Sequence, residues 1–218
     1  MFQIKNLTFF SEYLVITQLN RAELLTKLQG KLPGEQSWQR MTPEGRMHFP
    51  HRDNCTEAGV MLLLYPEGSN THIVFIKRNE YAGPHSAQIS FPGGVKEDKD
   101  ADLTATALRE TEEEIGVPAK IIEVVGRLTP LLIPVSNFCV QPFVGWLDHT
   151  PEFSPERSEV QYLICPAISH LLDQANHKKG PFSRKGEKMI TPYIDIDGEM
   201  LWGATAMMLS EFMAVLGY

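Results

Sequence analysis

A chain of 218 residues, 43% hydrophobic and 22% charged, is long enough to bury a substantial core without covalent staples. Its net charge of -7 excludes a broad basic surface for nucleic acid, so a phosphate-bearing ligand would need local cations or bound metal. No run approaches the ~20 apolar residues of a membrane-crossing helix, and the opening MFQIKNLTFFSEYLVITQL lacks a small-residue cleavage pattern, so neither membrane attachment nor a signal peptide is expected.

Residues 11 to 29 read as a helix, with Leu14, Leu19, Leu24, Leu25 and Leu28 as its apolar stripe and Gly30, Pro33 and Gly34 as its stop. Residues 31 to 56 are polar, Pro-bearing and irregular. The expected division is therefore an N-terminal helix and arm, 1 to 56, packed on a domain, 57 to 218. AGVMLLLY (58 to 65) reads as a buried strand, and HIVFIKR (72 to 78), after the turn PEGSNT, as its hairpin partner. AQISF is a short strand stopped by Pro92-Gly93-Gly94. A helix is predicted from about Asp102 to Ile115, with Asp100 or Asp102 as N-cap and Gly116, followed by Pro118, as its stop. IIEVVGRL, CVQPFVGW, EVQYLI and KMITPYIDI read as strands and PAISHLLDQA as a short helix. The last segment, 204 to 217, reads as an amphipathic helix with Thr205, Met208, Phe212 and Leu216 on one face. This mixture predicts an α+β or α/β/α sandwich. Cys55, Cys139 and Cys165 are odd in number and lack metal-ligand spacing, and read as reduced core thiols of a cytoplasmic protein.

The helix from 102 to 115 carries an anomaly. Thr104, Leu108, Thr111 and Ile115 recur at helical spacing and should face inward. Glu110, Glu113 and Glu114 share another face, three and four residues apart, near the helix end that favours cations. A solvated acidic face is the plain explanation. The preceding strand and diglycine turn favour another, because glycine admits a ligand close to the backbone and a divalent cation relieves clustered carboxylates. Hard oxygen ligands suit Mg²⁺ or Mn²⁺.

The segment Arg109-Glu110-Thr111-Glu112-Glu113-Glu114-Ile115-Gly116-Val117 resembles the second half of the Nudix box. The first half departs from the family pattern: its Glu falls on Ala101 and its Gly on Val95, so the Gly94-to-Arg109 interval is one residue longer, and Asp100 or Asp102 stands in for the Glu. HSAQISFPGGVKEDKDADLTATALRETEEEIG, extra residue included, and the C-terminal LWGATAMMLSEF are similar to the Nudix subgroup that hydrolyses coenzyme A. Two positions depart from that subgroup: Gly83 and Ala87 stand where it carries Arg and Gly.

The resemblance implies a Nudix-type α/β/α sandwich with a mixed central sheet, and a Mg²⁺- or Mn²⁺-dependent diphosphohydrolase of coenzyme A or acyl-CoA. ADP-ribose, NADH, a nucleotide sugar or a nucleoside triphosphate is the alternative substrate, and a non-catalytic binding module the third reading. It implies Glu110 and Glu114 as metal ligands, the Gly93 carbonyl as an extra ligand, and Glu113 as a further ligand or the base. Arg109 is expected to pair with a helix carboxylate, and Glu159 to supply a late ligand or base. Lys77, Arg78 and His85 are candidate phosphate contacts, and Phe138 a candidate adenine-stacking ring. The expected partner is a small-molecule diphosphate, with a homodimer in keeping with Nudix relatives.

Overall fold

The computed structural model describes residues 18–43, 54–81, 85–184 and 187–218. In chain order the elements are helices α1 (Arg21–Leu28) and α2 (Glu35–Trp38), and strands β1 (Thr56–Glu67), β2 (Asn70–Ile73), β3 (Phe75–Arg78), β4 (Ile89–Ser90) and β5 (Gly93–Val95). Helix α3 (Leu103–Ile115) follows, then β6 (Glu123–Arg127), β7 (Leu131–Ile133), β8 (Phe138–Trp146), β9 (Val160–Ile164) and α4 (Ile168–Leu172). The chain closes with β10 (His177–Arg184), β11 (Glu187–Ile196), β12 (Glu199–Trp202) and α5 (Gly203–Leu216).

The fold is α+β and built on β1. β1 runs parallel to β8, from Thr56 opposite Phe138 to Leu64 opposite Trp146. Its other edge takes β5 near the start and β2 near the end, both antiparallel. β8 likewise carries β7 and β6 along its outer edge, which gives a mixed six-stranded sheet. Strand alternation then sorts the core into two halves. Met61, Leu63 and Tyr65 join Ala107 and Ile115 of α3 on one face; Leu62 and Leu64 join Ala206, Leu209 and Phe212 of α5 on the other. Two further antiparallel sheets, β4-β3-β9 and β10-β11-β12, flank this layer.

The sequence expectation differs from the structure in several places. The first helix begins only after Asn20, whose side chain caps the Glu23 amide at 3.1 Å; residues 11 to 17 lie outside the described residues. The segment 72 to 78 does not form one hairpin strand. It leaves β1 at Ile73, and Phe75–Arg78 pairs with β4 and β9 instead, a change of partner that apolar periodicity does not encode. α5 is not amphipathic. Thr205 through Met213 are all buried, because the arm covers the face that would otherwise meet water. That arm is pinned by Glu211, whose buried carboxylate accepts from Gly34 N (3.1 Å), Trp38 Nε1 (3.1 Å) and Thr129 Oγ1 (2.6 Å). Finally, Cys55 and Cys139 are joined in a disulfide, with Cα atoms 5.6 Å apart, and only Cys165 is a free thiol. The parallel pairing of β1 with β8 brings the two cysteines together, which spacing along the chain could not show.

Candidate active site

Helix α3 lies against β1 because Gly59 has no side chain: a Cβ there would stand 2.5 Å from the Leu103 carbonyl oxygen. Asp102 caps the helix through the Ala105 amide at 2.8 Å, and Gly116 ends it in the left-handed region. The buried stripe is Ala107, Thr111, Glu114 and Ile115, with Thr104 and Leu108 only partly covered. The dipole penalty at the acidic end is met by backbone donors, since Ser154 N and Glu156 N bond to the Ile115 and Glu114 carbonyls at 2.9 and 3.0 Å. The same loop carries Glu159 to the site. Glu112 points elsewhere and accepts from the Ala119 amide at 3.0 Å.

Asp100 occupies the place left by the missing Glu. Arg109 donates to it twice, Nε to Oδ1 and Nη2 to Oδ2, each at 2.9 Å. Hydrogen bonds from Arg109 and from the Glu97 amide hold this carboxyl far below its usual range. The remaining guanidinium nitrogen, Nη1, donates to Glu110 and Glu113 at 2.8 Å each. Arg109 is thus a rigid bracket between the loop before α3 and two of its glutamates.

Gly94 makes room for Glu110: a Cβ at Gly94 would stand 2.4 Å from that carboxylate. Glu114 is almost fully buried, its side chain 2% exposed, and accepts from the Gly93 amide at 2.8 Å. Burial, opposed by Arg78 and the Gly93 amide and reinforced by Glu110 and Glu159, pushes its carboxyl up to about 7. Burial also raises Glu110, against relief from Arg109 and with repulsion from Glu113 and Glu159. Arg78 ends β3 at a register shift, which re-aims its side chain inward. Its Nη2 donates to the Gly93 carbonyl at 2.9 Å and lies 3.3 Å from Glu114 Oε1.

These groups line a cavity of about 740 Å³, within the usual range for small-molecule sites. Arg78, Gly93, Glu110, Glu113, Glu114 and Glu159 all lie on its wall. His85 and Phe138 also line it, their rings 6.4 Å apart at 20°, and both imidazole nitrogens have partners, Gln88 and Ser136, at 3.1 Å. Lys77 is not brought to the site: its Nζ pairs with Glu199 at 2.7 Å, outside the cavity wall. Sequence reasoning missed the apolar part of the lining, Ile133, Val140, Met189, Trp202 and Met208. These come from segments distant along the chain; the Trp202-Gly203 pair at the start of α5 was the one available signal. Gly83 lies outside the described residues. Ala87 has a φ of +54°, a conformation that favours glycine, which accounts for the Gly of the coenzyme A pattern at that place.

Among the described residues no three carboxylate, histidine or cysteine side chains converge as metal ligands, and arginines contact Glu110 and Glu114. The donor set nevertheless fits Mg²⁺ or Mn²⁺. It is all oxygen, the carboxylates repel one another, and the space above Gly94 admits Glu110 against the backbone. No helix among the described residues is long and apolar enough to cross a membrane.

The NUDIX domain model matches residues 56–185. A protein described as an uncharacterised Nudix hydrolase from Photorhabdus laumondii is 30% identical over 159 residues, 73% of this chain and 84% of that protein. The peroxisomal coenzyme A diphosphatase of Mus musculus is 30% identical over 131 residues, 60% of this chain and 55% of the mouse protein. Among solved structures, a MutT/nudix family protein from Enterococcus faecalis aligns over 87% of this chain and 76% of its own, with a TM-score of 0.48 and 14% identity.

Proposed function

The chain belongs to the NUDIX domain family, as a hydrolase of nucleoside diphosphate derivatives, and from that premise we propose that it cleaves the pyrophosphate bond of coenzyme A or an acyl-CoA with Mg²⁺ or Mn²⁺. The observation that carries this reading is that Glu110, Glu113, Glu114 and Glu159 line, with Gly93 and Gly94, the same cavity as the apolar side chains of Ile133, Val140, Met189, Trp202 and Met208. The carboxylates and the diglycine turn suit a metal-bound diphosphate, and the apolar lining suits a pantetheine or acyl chain. The resemblance to the mouse coenzyme A diphosphatase supports the same substrate.

In this reading Glu110 and Glu114 hold the metal, with the Gly93 carbonyl as an added ligand. When bound, the ion neutralises the diphosphate and acidifies a water. Arg109 keeps Glu110 in position through its grip on Asp100. Of the two candidate bases, Glu159 is favoured. Glu113 is already held by Arg109 at 2.8 Å and lies 3.7 Å from Lys99, so its carboxylate is engaged away from a water. Arg78 contacts the substrate phosphate, and Phe138 and His85 form the wall against which a base or thiol-bearing arm packs.

A second substrate, ADP-ribose, NADH, a nucleotide sugar or a nucleoside triphosphate, is favoured by one observation, the Gly83 that stands where the coenzyme A pattern has Arg. A panel of these compounds with Mg²⁺ and Mn²⁺ separates the readings. Cleavage of ADP-ribose with coenzyme A untouched would overturn the first, and no cleavage of any would leave a binding module. A homodimer, a boundary at residues 56/57 and a cytoplasmic location belong to the same proposal. A cytoplasmic location keeps thiols reduced, whereas Cys55 and Cys139 stand in disulfide geometry, so quantifying free thiols in the protein as isolated from cells tests the location.

A further inference from the structure

We infer that Arg78 is a built-in counterion that holds the metal ligands while no metal is bound and transfers to the substrate diphosphate when metal enters. This rests on the metal-dependent reading above. The guanidinium touches the two groups assigned to the ion from that side of the site, the Gly93 carbonyl at 2.9 Å and Glu114 Oε1 at 3.3 Å. A divalent ion and a guanidinium cannot share those oxygens without repulsion, and a nearly buried carboxylate without any cation is costly. The ionised Glu114 carboxylate therefore calls for one of the two beside it.

Arg78 is free to take the second position. Its side chain is 23% exposed and lines the cavity, and among the described residues its further hydrogen bond is from Nε to Ser90 Oγ at 3.1 Å. Rotation about the outer torsions gives up that single bond, because Nε–H lies in the guanidinium plane, and turns the planar end toward the cavity, where a diphosphate offers paired oxygens of matching geometry. The register shift between Lys77 and Arg78 serves this end. It sends Lys77 to Glu199 and Arg78 to the site. Arg78 so supplies a phosphate-binding guanidinium from a strand, in a chain that has Gly83 where the coenzyme A pattern carries one.

The test reads the side chain itself. In ¹⁵N-labelled protein the Arg78 Nε–Hε resonance, assigned by its loss in Arg78→Lys, should shift on addition of Mg²⁺ alone and shift again when inorganic pyrophosphate is added. In the presence of Mg²⁺, Arg78→Gln should bind pyrophosphate about 10- to 100-fold more weakly than wild type, with partial recovery in Arg78→Lys. If wild type shows Mg²⁺ binding at other resonances while the Arg78 signal stays put, or if Arg78→Gln binds pyrophosphate as tightly as wild type, the transfer is refuted and the metal site survives. If wild type binds neither Mg²⁺ nor Mn²⁺, the metal-dependent reading falls and this inference with it.

Discussion

Arg109 grips Asp100 with two parallel hydrogen bonds of 2.9 Å and uses its remaining nitrogen to hold Glu110 and Glu113. In the proposed site the placement of Glu110 would therefore depend on Asp100, which acts through Arg109. Asp100→Ala should keep the helical circular dichroism of α3 and lower kcat/KM by about 10- to 100-fold, as loss of a group orienting a metal ligand does. Unchanged kinetics would show that the bracket has no bearing on the reaction.

Gly94→Ala tests the space above the diglycine turn. The new Cβ would meet the Glu110 carboxylate at 2.4 Å, while the backbone at Gly94 accepts alanine without strain. Glu110 must then swing away. We expect kcat/KM to fall about 100-fold, the scale associated with a 1 Å misplacement, with the melting temperature close to wild type. Retained activity would place the metal away from Glu110.

Glu114 sets a pH dependence in the metal-free protein. Burial raises its folded pKa to about 7, above the usual carboxylate value. Between those values the unfolded chain has lost the proton and the folded chain retains it, so this group makes the protein less stable as pH rises toward 7. Glu114→Gln removes that dependence. The variant should match wild type near pH 4.5 and exceed it at pH 8 by up to about 3 kcal/mol in denaturant unfolding with chelator present. Equal stability at both pH values would mean that Glu114 is not held in a low-dielectric site.

Ala87 stands at φ +54° where glycine would be unstrained. Ala87→Gly should raise the unfolding free energy by about 1 kcal/mol, the relief of left-handed strain less the entropy glycine adds to the unfolded chain. Urea titration measures it. A loss of stability would mean that the methyl group contributes packing that outweighs the strain.

Glu211 is fully buried and accepts from Gly34, Trp38 and both donors of Thr129. Glu211→Gln turns one acceptor into a donor facing donors, which should cost about 3 kcal/mol and lower the melting temperature by about 10 °C. A change under about 1 kcal/mol would show that the arm does not depend on this anchor.

Much of the site was legible in the sequence because it lies within one stretch. The Gly93-Gly94 turn and the glutamates of α3 are separated by fewer than 25 positions, and helical periodicity alone puts Glu110, Glu113 and Glu114 on one face. β1 and α3 were also legible, one from an unbroken apolar run and the other from its cap and glycine stop. Tertiary structure decided what local pattern cannot express. It chose Asp100 over Asp102 as the partner of Arg109, sent Lys77 away and Arg78 inward, and joined Cys55 to Cys139 across two parallel strands. It also buried α5 on every side and drew the apolar lining of the cavity from β7, β8, β11, β12 and α5. Spacing along the chain determines which side chains share a face of one element, whereas the choice of neighbour depends on how separate elements pack, and that information is distributed over the whole core.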